Sequence, residues 1–315
     1  MQVLFLQNKG KKRWTFHRIC LFTEKHMKNK TKLIESIVHG IFLILGLITV
    51  AAVLLISVYL IISGIPAIKE IGLVNFLFGK EWNVGTNKFG ILPFILTSIY
   101  GTCGAILIGT PIGFFAAVYL SKMANPRVKS IVSLTVSLLS GIPSVVYGLV
   151  GMLVLVPAVR NAFNLPDGAS LLSAIIVLSI MILPSIIKVS LTALEAVPKE
   201  YEEGSLALGA TPVETYFKVS ALSAKSGIVA SIVLGVGRAI GEAMAVIMVS
   251  GNVANMPSLF QSVRFLTTAV SSEMSYATDG SLHRQALFSI ALVLFLFIML
   301  INATLNFFLK KNKEG

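Results

Sequence analysis

The chain has 315 residues, 55% of them hydrophobic and 13% charged, with a mean hydropathy of +0.85. Soluble domains carry about a quarter charged residues, so a water-soluble globular fold is excluded and the composition is that of an integral membrane protein. The net charge of +12 is not a nucleic-acid footprint, because residues 1–32 alone hold nine Lys or Arg against one acid, Glu24; a basic segment beside an apolar run faces anionic lipid.

Residues 1–36 read as a basic cytoplasmic tail. They are not expected to form a signal peptide, since the apolar run that follows is too long for a leader and lacks a small-residue cleavage site. Met27, which opens MKNKTKLIES, reads as the physiological start, with the preceding residues as an upstream extension. Six apolar runs follow, at 37–62, 93–120, 131–157, 170–193, 227–250 and 285–309. Each is near or above the roughly 20 residues a spanning helix needs. Residues 37–309 are therefore expected to form one six-helix membrane domain, with a short tail at 310–315. Placing both termini in the cytoplasm puts 19 of the 26 Lys and Arg residues on that side and 6 outside, which satisfies the positive-inside rule.

After the first run, GKEWNVGTNKFGILPF at 79–94 combines turn residues with Trp82 and Phe89. It reads as an interfacial docking or anchoring surface. The second, third and fourth runs carry Pro111, Pro143 (followed by Ser144) and Pro184 near mid-span. Proline removes a helical hydrogen bond, and in lipid the freed carbonyls need partners in the bundle or along a wet path. The three prolines and Ser144 are candidate path-lining positions, although proline is also common in membrane helices generally.

Between the fourth and fifth runs lies a polar stretch at about 195–225. Pro198 ends the incoming helix, KEYEEGSLAL suits a short helix, and Gly209 can close it. Thr211 as N-cap, Pro212 at the first helical position and Glu214 three residues after the cap then start another helix with a capping box. Leu206, Ala207, Ala210, Val213, Phe217 and Val219 give this hairpin an apolar face for a partner or for the membrane interface.

The fifth run reads GIVASIVLGVGRAIGEAMAVIMVSG. Gly227, Ser231 and Gly235 form one row of small residues and Gly237, Gly241 and Ala245 another, along which helices approach closely. Arg238 and Glu242 lie four apart, on one face if the helix is continuous. A charge at mid-bilayer costs on the order of 3 kcal/mol on insertion scales, so Arg238 must face partners or water. Two readings stand: a donor fork for a passing anion, oriented by Glu242, or a structural ion pair. His17, His26, His39 and His283 have no metal-ligand spacing, Cys20 and Cys103 no disulfide pattern, and no catalytic or cofactor fingerprint appears.

Glu203, Gly209 six residues later and the apolar Val219 resemble the EAA loop of binding-protein-dependent ABC importer permeases. Gly204 and Ser205 stand where that family has two alanines, and Ala221 and Leu222 where it has Leu-Pro. The resemblance implies an all-α, MetI-like permease fold and assigns Glu203, Gly209, Ala210, Thr211 and Pro212 to an ATPase-coupling loop. The chain has no GxxxxGK[ST] phosphate loop, so no cofactor is expected here, with ATP and Mg held by two separate ATP-binding subunits.

LGVGRAIGEAMAVIMVSGN, SGIPSVVYGLVG and HRQALFSIALVLFLFIMLIN further resemble phosphate permeases of the PstC type. Ala243 replaces that family's usual threonine. This implies import of inorganic phosphate through Arg238 and Glu242, with a PstA-like second permease and an external phosphate-binding protein as partners. The residues alone leave open another oxyanion, a secondary anion transporter or channel, and a regulatory scaffold.

Overall fold

The computed structural model describes Val3–Lys311, with side chains from Glu35 to Thr304. The expectations for Met27, Cys20, His17 and His26, and for the side chains of the two terminal tails, lie outside the described side chains. The chain divides into two compact units, Met1–Tyr59 and Leu60–Gly315.

The first unit belongs to α1, a single helix over Val3–Ile71. From Glu35 to Tyr59 its apolar side chains are exposed on every face, Ile37 at 54% and Leu55 at 70% among them. A helix apolar all round is at home only in hydrocarbon.

In the second unit the end of α1 leads into α2 (Leu73–Phe78) and a small hairpin of β1 (Trp82–Asn83) and β2 (Lys88–Phe89), with Trp82 opposite Phe89. Next come α3 (Leu92–Val118), α4 (Pro126–Gly141), α5 (Ser144–Val150), α6 (Val156–Ala162) and α7 (Leu171–Glu195). The polar hairpin holds α8 (Lys199–Ala207), α9 (Pro212–Glu214) and α10 (Ala221–Ser223), followed by α11 (Lys225–Gly241), α12 (Met244–Val249), α13 (Leu266–Glu273) and α14 (Leu282–Lys311). π-helical turns at Tyr119–Met123, Gly151–Leu155 and Thr215–Ser220 extend α3, join α5 to α6 and join α9 to α10.

Among the described residues, five stretches are long and apolar enough to cross a membrane: Glu35–Ile71, Leu92–Met123, Ser144–Ala162, Leu171–Glu195 and Leu282–Thr304. A sixth forms if Pro212–Ser223 and Lys225–Gly241, bent by 72° at their junction, count as one. The fold is therefore an all-α membrane architecture, but two of the expected runs are not single helices. The run 131–157 breaks at Ile142 and Pro143, both extended, and Tyr147 spans the break by donating its hydroxyl to the Leu139 carbonyl at 2.8 Å. The run 227–250 breaks at Glu242. Pro111 and Pro184, by contrast, sit inside helices that continue through them, so only Pro143 breaks its helix as expected.

Helix pairing follows the small residues. On α3, a Cβ added at Gly104, Gly109 or Gly113 would lie 2.7, 2.8 or 2.7 Å from Ile175, Ile182 or Ile186 of α7. Lipid gives apolar helices no solvent-driven reason to associate, so such close packing supplies the contact energy. The first small row of α11 does the same: Gly227 abuts Ala193, Gly235 abuts Ile186, and Ser231 shares a 2.8 Å hydrogen bond with Ser190 of α7. The second row does not behave uniformly. Gly237 and Gly241 face open space, whereas Ala245 is buried, its Cα 2.8 Å from where a Cβ at Gly148 of α5 would stand.

That backbone contact makes a clean comparison. Gly148→Ala is expected to destabilise by about 1–3 kcal/mol through overpacking against α12, more than the gain of about 1 kcal/mol in helix propensity. Gly141→Ala, with nothing within 4 Å, should be neutral or stabilising. Thermal unfolding of the two variants in detergent checks the pair; equal melting temperatures would contradict the close approach.

Candidate functional site

Arg238 lies in the last turn of α11, which ends at Gly241. Glu242 is extended (φ −75°, ψ 127°) and its carboxylate accepts the Ala245 N–H of α12 at 3.0 Å. The freed Glu242 carbonyl accepts the Thr267 hydroxyl of α13 at 2.8 Å, so this acceptor at the helix break is satisfied from a neighbouring element. This corrects the expectation that one helical face carries both charges. Among the described residues no ion pair joins Arg238 to Glu242.

The half-buried Arg238 makes one long contact, Nη1 to Ser185 Oγ at 3.4 Å. A guanidinium has five N–H donors and no acceptor, so most of its capacity is uncommitted among the described residues. Ser185 follows the buried Pro184 on α7, and Pro184 thereby stands beside the charge. Pro143 and Ser144 open α5, which packs on α12 through Gly148 and Ala245, so the two helix breaks sit on touching elements. Pro111 is not brought in: it is exposed, while its neighbours Gly109 and Gly113 face α7.

The polar hairpin forms as local chemistry dictates. Gly209 takes φ +87°, a conformation that glycine adopts without a Cβ penalty. Thr211 Oγ1 accepts the Glu214 N–H at 3.3 Å while Glu214 Oε2 accepts the Thr211 N–H at 3.2 Å, the two halves of a capping box. Ser205 and Thr215 tie the two arms through a 2.9 Å hydrogen bond between their hydroxyls. Glu203, Gly209, Thr211 and Pro212 are exposed and Ala210 is half-buried. The apolar face is divided: Leu206 and Val213 are exposed, as is Leu208 at 91%, whereas Phe217 leans on Phe114 and Phe115 of α3.

The Thr211 backbone N–H, then Lys218 and the Thr211 hydroxyl, hold the exposed Glu214 carboxyl below the usual carboxylate range. The contribution of this cap is complete above that range and is lost as pH falls through it toward the lowered folded value. Hydrogen-exchange protection of the Glu214 amide, corrected for intrinsic rate, should therefore decline on acidification. In Glu214→Gln that decline should vanish.

A family model described as the binding-protein-dependent transport system inner membrane component matches residues 109–312, which include the Arg238 break and the hairpin. This chain belongs to that family. A relative from Bacillus subtilis (strain 168), a probable ABC transporter permease protein YqgH, is 40% identical over 265 residues, 81% of this chain and 86% of that one. The phosphate transport system permease protein PstC of Haemophilus influenzae is 33% identical over 276 residues, again 81% and 86%. Among solved structures, a chain of the MetNI methionine ABC transporter matches with a TM-score of 0.57 at 20% identity, covering 70% of this chain and 95% of that one. This likeness shows the MetI-like fold. As an inner membrane component of a transport system, the chain resides in the membrane and is a transport subunit, not an enzyme; the system it serves depends on a binding protein.

The transport subunit also contains a cluster that its sequence does not reveal. Glu273, at the end of α13, accepts Trp82 Nε1–H at 3.0 Å, meets His283 Nε2 at 2.8 Å and pairs with Arg264. Arg264 also donates to the Asn252 carbonyl at 2.7 Å and sits over the Phe94 ring. Phe89 is 2% exposed and stacks on His283. Half-buried Trp82 and buried Phe89 thus face this cluster and do not form the anchoring or docking surface expected of 79–94, and His283, its side chain 14% exposed, belongs to the same cluster. The only local sign was the concentration of Trp, Phe, His and Arg in segments too polar to span; the partners are as far apart as 191 residues.

Proposed function

We propose that this chain is the permease subunit of an ATP-driven importer of inorganic phosphate, forming the translocation path with a second, homologous permease. The observation that carries the proposal is Arg238: a membrane guanidinium at a helix break, with most of its donors uncommitted and no carboxylate paired to it among the described residues. A phosphate dianion presents acceptor oxygens that suit a planar donor fork. Glu242 borders the same break and keeps negative charge near the fork, which favours release over tight retention. The relatives named PstC support the choice of phosphate.

The distribution of Lys and Arg supports a cytoplasmic location for both termini and the hairpin. There the coupling loop of Glu203, Gly209, Ala210, Thr211 and Pro212 meets one of two ATP-binding subunits, which carry ATP and Mg. Open space beside Gly237 and Gly241 supports a second membrane subunit, PstA-like, against this face of α11. An external phosphate-binding protein delivers the substrate.

The test is uptake of labelled phosphate by vesicles holding this chain with its partner subunits and binding protein, with and without ATP, against unlabelled phosphate, sulfate and molybdate. ATP-dependent uptake displaced only by phosphate is expected. Displacement by another oxyanion would discard the substrate, and gradient-driven flux without ATP would overturn the coupling.

A further inference from the structure

The hairpin's resemblance-assigned glutamate, Glu203, is exposed and has no partner among the described residues, whereas its neighbour Glu202 turns into the bundle. Glu202 pairs with Lys122, at the π-helical end of α3, and Glu202 Oε1 accepts the Ser220 hydroxyl at 2.9 Å. Lys122 Nζ also donates to the Leu194 carbonyl in the last turn of α7 at 3.2 Å. Side-chain exposure is 10% for Lys122 and 19% for Glu202, and Ser220 is fully buried. One charge pair thus joins four elements: the end of α3, the end of α7, the first arm of the hairpin and the second.

Two features separate this pair from an ordinary surface salt bridge. First, both donors to Glu202 lie on π-helical turns, Lys122 in Tyr119–Met123 and Ser220 in Thr215–Ser220. Such insertions are rare and cluster at functional sites because they re-aim side chains that an α-helix would point elsewhere. Second, the elements it grips lead to the charged break. α3 packs along α7 through its glycine row, and α7 carries Ser185, the contact of Arg238, less than three turns before Leu194. By contrast the nearby Lys129–Glu195 pair, at 37% and 42% exposure, joins α4 to α7 without touching the hairpin.

We infer that Lys122 and Glu202 are positioning residues that fix the hairpin to α3 and α7, so that motion imposed on the hairpin by an ATP-hydrolysing partner reaches the Arg238 break. A near-buried ammonium–carboxylate pair with a shared hydroxyl and carbonyl is stiff, because separating it exposes or orphans two charges. An apolar hairpin contact alone slides. The inference rests on the coupling-loop reading above.

The experiment measures ATP hydrolysis, phosphate uptake and co-purification of the ATP-binding subunits in the reconstituted transporter. Lys122→Met and Glu202→Gln should keep the subunits bound and hydrolysis running while uptake per ATP falls about tenfold, within the range of energetic coupling between sites. Lys122→Arg, which can still pair, should restore the ratio, and Lys129→Met should leave it unchanged. An unaltered ratio in assembled Lys122→Met, or an equal loss in Lys129→Met, overturns the inference. If Lys122→Met fails to accumulate, Ser220→Ala, which removes one hydroxyl, decides: a wild-type ratio there overturns it as well. A separate arm, Glu203→Arg with Val213→Asp on the exposed hairpin surface, should release the ATP-binding subunits. Retention of those subunits would overturn the coupling-loop reading itself, an outcome distinct from a changed ratio in an intact complex.

Discussion

Replacing Arg238 with alanine is expected to lower phosphate uptake by the assembled transporter about a hundredfold at unchanged membrane abundance. Hydrogen bonds to a charged group contribute about 1.5–3 kcal/mol each, and losing a two-pronged contact of roughly 3 kcal/mol corresponds to that factor. Arg238→Lys keeps the charge and loses the planar fork, so an intermediate loss, about tenfold, is expected. Abundance is the discriminating control. An arginine at mid-bilayer costs about 3 kcal/mol to insert, so its removal should not impair membrane insertion, and its single long bond to Ser185 at 3.4 Å adds little to stability. A structural arginine would show the reverse pattern, with falling abundance and normal uptake per molecule. Normal uptake at normal abundance in both variants would end the assignment.

Replacing Glu273 with alanine is expected to cost about 3 kcal/mol of stability, toward the lower end of the range for orphaning a buried ionic partner. The carboxylate serves three elements at once: Arg264 before α13, His283 on α14 and Trp82 on β1. With Glu273 and Arg264 only 19% and 15% exposed, water cannot replace the lost acceptor in full. The exposed Glu81–Lys88 pair, at 67% and 60%, supplies the contrast: Glu81→Ala should change stability by less than about 1 kcal/mol. Glu273→Gln keeps an acceptor for one donor and should fall between. Thermal unfolding in detergent measures all three. A Glu273→Ala melting temperature equal to that of the parent chain would show that the cluster is not a structural tie.

What the sequence determined is what local chemistry determines. Apolar runs longer than 20 residues have no stable home outside lipid, so the membrane class followed from composition. Gly209, Thr211, Pro212 and Glu214 satisfy one another within six positions, so the hairpin and its capping box could be read before any neighbour was known. Pro143 coincides with a helix break, although the missing N–H it shares with Pro111 and Pro184 does not decide the outcome by itself. Local rules failed where distant groups choose between outcomes. Pro111 and Pro184 look like Pro143 in sequence, yet α3 and α7 run through them while locked together by Gly104, Gly109 and Gly113. Arg238 and Glu242 look like neighbours on one helix face. The Thr267 hydroxyl, 25 residues away, takes the Glu242 carbonyl, and Gly148 admits the α12 backbone, so the helix ends between the two charges. Lys122 with Glu202 and Trp82 with Glu273 are separated by 80 and 191 residues. Only the tertiary structure decides such pairs, because a buried charge takes whichever partner the packing brings within reach, and sequence distance places no limit on that choice.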